Sequence, residues 1–142
     1  LGIAEAIVWQ AKEFKTRTGI GCDFVNDLGD FEPDLERSTT LFRTFQETLT
    51  NIVRHAEASE VCVTLSQFNE SITLQVRDNG CGISPQNVLS LRSLGLLGMR
   101  ERAMVWGGNV QIHGIPNEGT TVTINIKKGG SWQQKRKQEK LK

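Results

Sequence analysis

The stretch Ile72-Thr73-Leu74-Gln75-Val76-Arg77-Asp78-Asn79-Gly80-Cys81-Gly82-Ile83 decides how the chain is read. Ile72, Leu74 and Val76 fall on alternate positions, the period-two pattern of a strand with one buried face. Carrying that parity one step further turns Asp78 to the same inward side. A carboxylate among apolar side chains is costly unless donors hydrogen-bond to it. Gly80 and Gly82 follow at once, and glycine lets a backbone bend sharply and allows close approach. An inward acid beside two glycines reads as the floor of a ligand pocket. Asp-Asn-Gly is also ordinary turn chemistry, and this stretch alone leaves both readings open.

Composition frames what surrounds it. A chain of 142 residues, 37% hydrophobic and 23% charged, is expected to form one soluble globular domain with a real core. A net charge of +1 argues against a dedicated nucleic-acid surface. No apolar run is long enough to span a membrane. The chain opens at Leu1 without Met or a basic leader, so it is expected to carry no signal peptide and to be a piece of something longer. Cys22, Cys62 and Cys81 lack metal-ligand spacing, and their odd number suggests reduced thiols in a cytoplasmic setting.

Outward from the central stretch, residues 1–18 read as a helix with Ile3, Ile7 and Phe14 near one face and Gly19 as its stop. Residues 21–28 form a weaker strand pattern, and Asp30 to Arg37 reads as a polar turn around Pro33. The strongest helix pattern runs from Ser38 to Ala56, with Ser38 or Thr39 as its N-cap. Phe42, Phe45, Leu49, Ile52, Val53 and Ala56 share one half of the cylinder, and Glu47, Asn51, Arg54 and His55 lie opposite. That polar face could be only solvated. Its residue types also suit a metal–phosphate group: Glu47 and Asn51 offer hard oxygens of the kind Mg²⁺ takes, and Arg54 a phosphate-matching cation.

Glu60 to Arg77 reads as a hairpin turning at Asn69-Glu70. Ser84-Pro85 resembles a helix start. Gly95-Leu96-Leu97-Gly98-Met99-Arg100-Glu101-Arg102-Ala103 is a glycine pair opening a helix, where backbone N–H groups favour a phosphate, or simply a hinge. Gly107-Gly108 ends that helix, and His113 falls on the polar side of the next strand. In the last strand Val122, Ile124 and Ile126 point inward, so Thr120 shares their side and Thr121 and Thr123 do not. Asp78 and Thr120 then stand at the pocket end of two core-facing rows. From Gly129 the chain reads as a solvated basic tail.

Taken together, the runs Glu47 to Ala56, Asp78 to Ile83, Gly95 to Arg102 and Gly119-Thr120-Thr121-Val122 resemble the ATP-binding catalytic domain of bacterial sensor histidine kinases. That domain belongs to the superfamily shared with gyrase, heat-shock chaperone and mismatch-repair ATPases. Arg54-His55-Ala56 and the Gly-Leu-Leu-Gly-Met-Arg-Glu-Arg run look most like the nitrate-sensor-type subgroup. The likeness covers roughly residues 20 to 127. Each run alone is a modest signal; all four, in the family's order, are specific.

The resemblance implies a two-layer α/β sandwich, with a mixed, mostly antiparallel sheet covered by helices on one face. It implies residues 1–18 as the end of an upstream dimerisation and phosphoacceptor helix, 19–128 as the catalytic domain and 129–142 as the tail. ATP and Mg²⁺ are the implied cofactors. Asn51 would hold Mg²⁺, with Glu47 as a second ligand or a water-orienting base. Asp78 would accept from the adenine amino group, backed by Thr120. Gly80, Gly82 and Ile83 would let the nucleotide approach. Gly95, Leu96, Gly98 and Met99 would form the lid end near the phosphates, and Arg54 and His55 would contact phosphate.

The implied activity is transfer of the γ-phosphoryl group to a histidine on an upstream domain, in a homodimeric parent paired with a response regulator. The fragment itself is expected to be monomeric and cytoplasmic, although the parent could be membrane-anchored. Two departures stand out. Ser93-Leu94 precedes Gly95 where the subgroup often has Gly-His or Gly-Phe, and the chain's histidines, His55 and His113, are not the phosphoacceptor. A self-sufficient ATPase or serine kinase of the same superfamily, and a nucleotide-binding module without turnover, are the alternatives.

Overall fold

The computed structural model describes residues 2–83 and 95–129. The expected helix start at Ser84-Pro85, the Ser93-Leu94 departure and the tail beyond Gly129 lie outside them. In chain order the elements are α1 (Ile3–Thr18), β1 (Gly21–Asp27), α2 (Leu35–Asn51) continued by a π-helical turn (Ile52–Ala56), β2 (Glu60–Phe68), β3 (Ser71–Asp78), α3 (Leu96–Val105), β4 (Asn109–Ile115) and β5 (Gly119–Lys127).

The five strands form one sheet in the order β1-β2-β3-β5-β4. Among the described residues β1 and β2 pair in parallel and the other neighbours are antiparallel. The sheet is therefore mixed and mostly antiparallel, as expected. Alternation sets its inward face: Val61, Val63 and Leu65 of β2, Ile72, Leu74 and Val76 of β3, and Val122, Ile124 and Ile126 of β5 are all buried. The register aligns them in rows, with Val63 opposite Val76 and Val76 opposite Val122. The helices contribute Ile7 and Phe14, Leu41, Phe45 and Leu49, and Leu96, Met99 and Ala103 to the same cluster. The middle of the outward face is polar, with Thr64, Gln75, Thr123 and Gln111 in register across four strands, while Val25, Phe68 and Ile115 are exposed toward its edges and ends.

α1 ends on Gly19 in the left-handed conformation (φ 77°), as the sequence predicts. Ile3, Ile7 and Phe14 of α1 are buried in the cluster that the sheet and α2 share, and Ala11 is buried on the same helix.

α2 differs from expectation at both ends. It begins at Leu35, not near Ser38, and its N-cap is Asp34, whose carboxylate accepts from the Arg37 N–H at 2.8 Å. The sequence hid this because the first turn inverts the usual polarity: Leu35 is 80% exposed while Arg37 is 6% exposed. The Arg37 guanidinium pairs with Asp34, donates to the Lys127 carbonyl at 2.7 Å and stacks 4.3 Å from the Trp106 ring. Thr44 and Thr48 are buried because each hydroxyl donates to the carbonyl one turn back, at 3.0 and 2.8 Å. At the other end the regular helix stops at Asn51 and widens into the π turn. The changed winding leaves Val53, expected on the apolar half, 51% exposed, while Ile52 and Ala56 stay buried.

Candidate functional site

β3 delivers Asp78 to the inward face, where it is 5% exposed. Its Oδ1 accepts from the Gly80 N–H at 2.8 Å and from the Thr120 N–H at 3.3 Å. Burial pushes the Asp78 carboxyl above the usual carboxylate range, while the two backbone donors pull the other way. The inward acid with converging donors is thus present as the parity predicts. Thr120 takes part through its main-chain N–H, and its side chain is half-buried at the same end of β5.

The glycines around Asp78 serve a closer neighbour than expected. A Cβ at Gly80 would collide with the Ala56 carbonyl at the end of the π turn, and one at Gly82 (φ 74°) with the Ile115 carbonyl. Both close approaches are therefore made by the protein's own backbone. The loop is stitched further: Asn79 Oδ1 accepts from the Ser59 and Glu60 N–H groups at 2.9 and 3.0 Å, and the Cys81 N–H donates to the Ala56 carbonyl at 2.7 Å. The strand end carrying Asp78 is thereby clamped to the C-terminal end of the α2 helix. Ile83 is half-buried and lies against Gly114 of β4.

Along α2 and its π turn the polar candidates fall at two levels. Glu47 and Asn51, one turn apart on α2, are partly buried, whereas Arg54 and His55 on the π turn are exposed. The sequence reading did not foresee where Glu47 points: its Oε2 accepts from Arg102 Nη2 of α3 at 2.5 Å. Gly95, in the left-handed conformation (φ 70°), caps α3 with its missing side chain 3.7 Å from that carboxylate. Gly98 lies one turn later, where a Cβ would sit 3.3 Å from Arg102 Nη1. The glycine pair thus frames a carboxylate–guanidinium contact. Leu96 and Met99 turn inward and are core residues.

α2 consequently joins two glycine-bearing elements. Glu47 meets the start of α3, and Ala56 meets the loop after Asp78. Nine residues separate these contacts, about 13 Å along a helix axis at 1.5 Å per residue. Glu47 and Asn51 supply hard oxygen donors between the two ends, the kind a small divalent cation takes together with phosphate oxygens and water. Among the described residues no cluster of three or more His, Cys, Asp or Glu side chains could hold a metal without such added ligands. Cys22, Cys62 and Cys81 are free thiols, and burial above all pushes Cys22 up to about 11.

An α/β sandwich, with helices packed on the inward face of a mixed sheet, is the class that these elements define. Residues 36–130 match the family described as histidine kinase-, DNA gyrase B-, and HSP90-like ATPases, and the chain belongs to that family. A curated relative, the signal transduction histidine-protein kinase/phosphatase DegS of Brevibacillus brevis, is 37% identical over 127 residues, covering 89% of this chain and 32% of the relative. The chain spans about a third of that relative's length. No helix among the described residues is long and apolar enough to cross a membrane.

Proposed function

We propose that this chain is the catalytic domain of a sensor histidine kinase that binds Mg-ATP and gives its γ-phosphoryl group to a histidine on an upstream dimerisation domain. The observation that carries this reading is Asp78: a carboxylate held inward at a strand end, its Oδ1 occupied by the Gly80 and Thr120 N–H groups, inside a chain of the ATPase family. A buried carboxylate offers its remaining acceptor capacity to a donor, and the exocyclic amine of adenine is such a donor. From there the nucleotide would lie along α2, past Arg54, His55 and Asn51, with its phosphates toward Glu47, Gly95 and Gly98.

Mg²⁺ fits the donor chemistry of Asn51, with Glu47 beside it, and would neutralise developing phosphate charge when bound. The chain's own residues hold the nucleotide, screen its phosphates with Arg54 and orient it. In the transfer the bond from the γ-phosphorus to the β–γ bridging oxygen breaks, a bond to an imidazole nitrogen forms, and ADP leaves. The likeness of the Arg54-His55-Ala56 and Gly-Leu-Leu-Gly-Met-Arg-Glu-Arg runs supports the nitrate-sensor-type subgroup. A homodimeric parent, a response regulator as the next acceptor and a cytoplasmic setting belong to the same reading, and the relative's name, a signal transduction histidine-protein kinase/phosphatase, supports the kinase part of it.

Hydrolysis by the chain alone is expected to be slow, because Glu47, the acid that would orient a water, faces Arg102 in the empty site and the metal–phosphate group in the filled one. The test incubates the chain with γ-labelled ATP and Mg²⁺, with and without a separately supplied histidine-bearing dimerisation domain. Label on that domain's histidine, with little phosphate release from the chain alone, supports the reading. Rapid release by the chain alone, or no transfer in the mixture, opposes it.

A further inference from the structure

We propose that Arg102 is a polyphosphate-binding residue, held by Glu47 while the site is empty and given over to phosphate when a nucleotide binds. This inference rests on the nucleotide-binding reading above. Arg102 stands in the second half of α3, but its side chain runs back toward the helix start, as long helical side chains do, over the space that Gly98 leaves open. Its guanidinium therefore arrives near Gly95, at the end of α3 where backbone N–H groups and dipole already favour an anion. There Nη2 donates to Glu47 Oε2 at 2.5 Å.

Two features distinguish this pair from an ordinary surface salt bridge. Arg102 Nε is buried and has no hydrogen-bond partner among the described residues. A guanidinium presents its donors as a planar fork matched to phosphate oxygens, so an unpaired Nε beside an engaged Nη2 is a half-used fork. The carboxylate it meets is also one of the two oxygen groups that suit Mg²⁺. A metal–polyphosphate group arriving between α2 and α3 would offer Glu47 a cation and Arg102 an anion at once. Both partners of the ion pair would then exchange one another for the ligand. A ligand shifts such an equilibrium only through its greater affinity for one state, and here that differential lies at the phosphate end, not at the base.

The experiment titrates ATP and, separately, adenosine into wild-type protein, Arg102→Gln and Arg102→Lys by calorimetry, in Mg²⁺ and again in EDTA. Arg102→Gln is expected to weaken ATP by about tenfold or more, the scale of a lost charge-assisted phosphate contact, and to leave adenosine unchanged. Arg102→Lys should recover part of the ATP affinity. Equal weakening of ATP and adenosine, or no change in either, would overturn the proposal. Wild-type protein that binds neither ligand would bring down the nucleotide-binding reading itself, whereas wild-type binding with an unaffected Arg102→Gln removes only this inference. Glu47→Gln provides an arm that keeps Arg102 in place. In EDTA it should raise ATP affinity a few-fold by freeing the guanidinium, and a fall in ATP affinity there would also count against partner exchange.

Discussion

Asp78→Asn separates what the carboxylate does for the ligand from what it does for the fold. The amide keeps an oxygen that can accept from the Gly80 and Thr120 N–H groups at 2.8 and 3.3 Å, so the loop geometry should survive. What changes is the second position, where an acceptor becomes a donor facing the adenine amine. A hydrogen bond to a charged group contributes about 1.5–3 kcal/mol. Its loss alone corresponds to roughly a 10- to 150-fold weaker Kd at about 1.4 kcal/mol per tenfold. Two opposed donors add to that loss.

Stability should move the other way. Burial raises the carboxyl's pKa in the folded protein, so the folded state holds its proton more tightly than the unfolded chain does. Wild-type stability must then fall as pH rises from the ordinary carboxylate value, near 3.9, through the raised one, and remain lowered above it. The variant lacks that titration. Urea unfolding at pH 4 and pH 7, beside calorimetric titration with ATP, checks both parts. The variant should gain stability relative to wild type between the two pH values while losing nucleotide affinity. Unchanged ATP affinity, or a variant that loses ground on wild type as pH rises, would refute the reasoning.

The remaining expectations concern the scaffold and the metal. Gly80→Ala puts a methyl group into the Ala56 carbonyl, so thermal unfolding should show a loss of about 2 kcal/mol or more. Among the described residues Gly95→Ala meets nothing closer than Glu47 at 3.7 Å, and it should lose only about 1 kcal/mol, from its left-handed backbone. In Asp34, burial opposes ionisation but the Arg37 N–H and guanidinium prevail and hold its carboxyl below the usual range. Its contribution should be present above the ordinary carboxylate value and lost as pH falls through the lowered one. Asp34→Ala should therefore cost about 1–2 kcal/mol at pH 7 in urea melts, from the lost cap, and less at pH 3. Asn51→Ala should weaken ATP about tenfold in Mg²⁺ and much less in EDTA; equal weakening in both would remove Asn51 as a metal ligand.

What the sequence made legible follows from short-range periodicity. Alternation placed the rows of β2, β3 and β5 and turned Asp78 inward, because a strand's side-chain direction depends only on parity. Gly19 and Gly107 marked helix ends that left-handed backbone confirms. The misses are tertiary. A helix beginning with exposed Leu35 and buried Arg37 defeats a polarity pattern, since Arg37 is buried by partners as distant as Trp106 and Lys127. The π turn escapes any reading that assumes 3.6 residues per turn. Gly80 and Gly82 signalled close approach correctly, but not that the neighbour is the protein itself. The Glu47–Arg102 contact joins residues 55 apart. Its one local trace is Gly98 four residues before Arg102, a spacing that leaves room for a long side chain to fold back along the helix.

The central claim is that the buried acid at the end of β3 reads an adenine amine. It is tested most directly by comparing ATP with inosine triphosphate, which carries a carbonyl in place of that amine and a proton on the neighbouring ring nitrogen. A carbonyl facing the Asp78 carboxylate pairs two acceptors, so calorimetric titration of the wild-type protein in Mg²⁺ should find inosine triphosphate at least about tenfold weaker. Equal affinities for the two nucleotides would contradict the account.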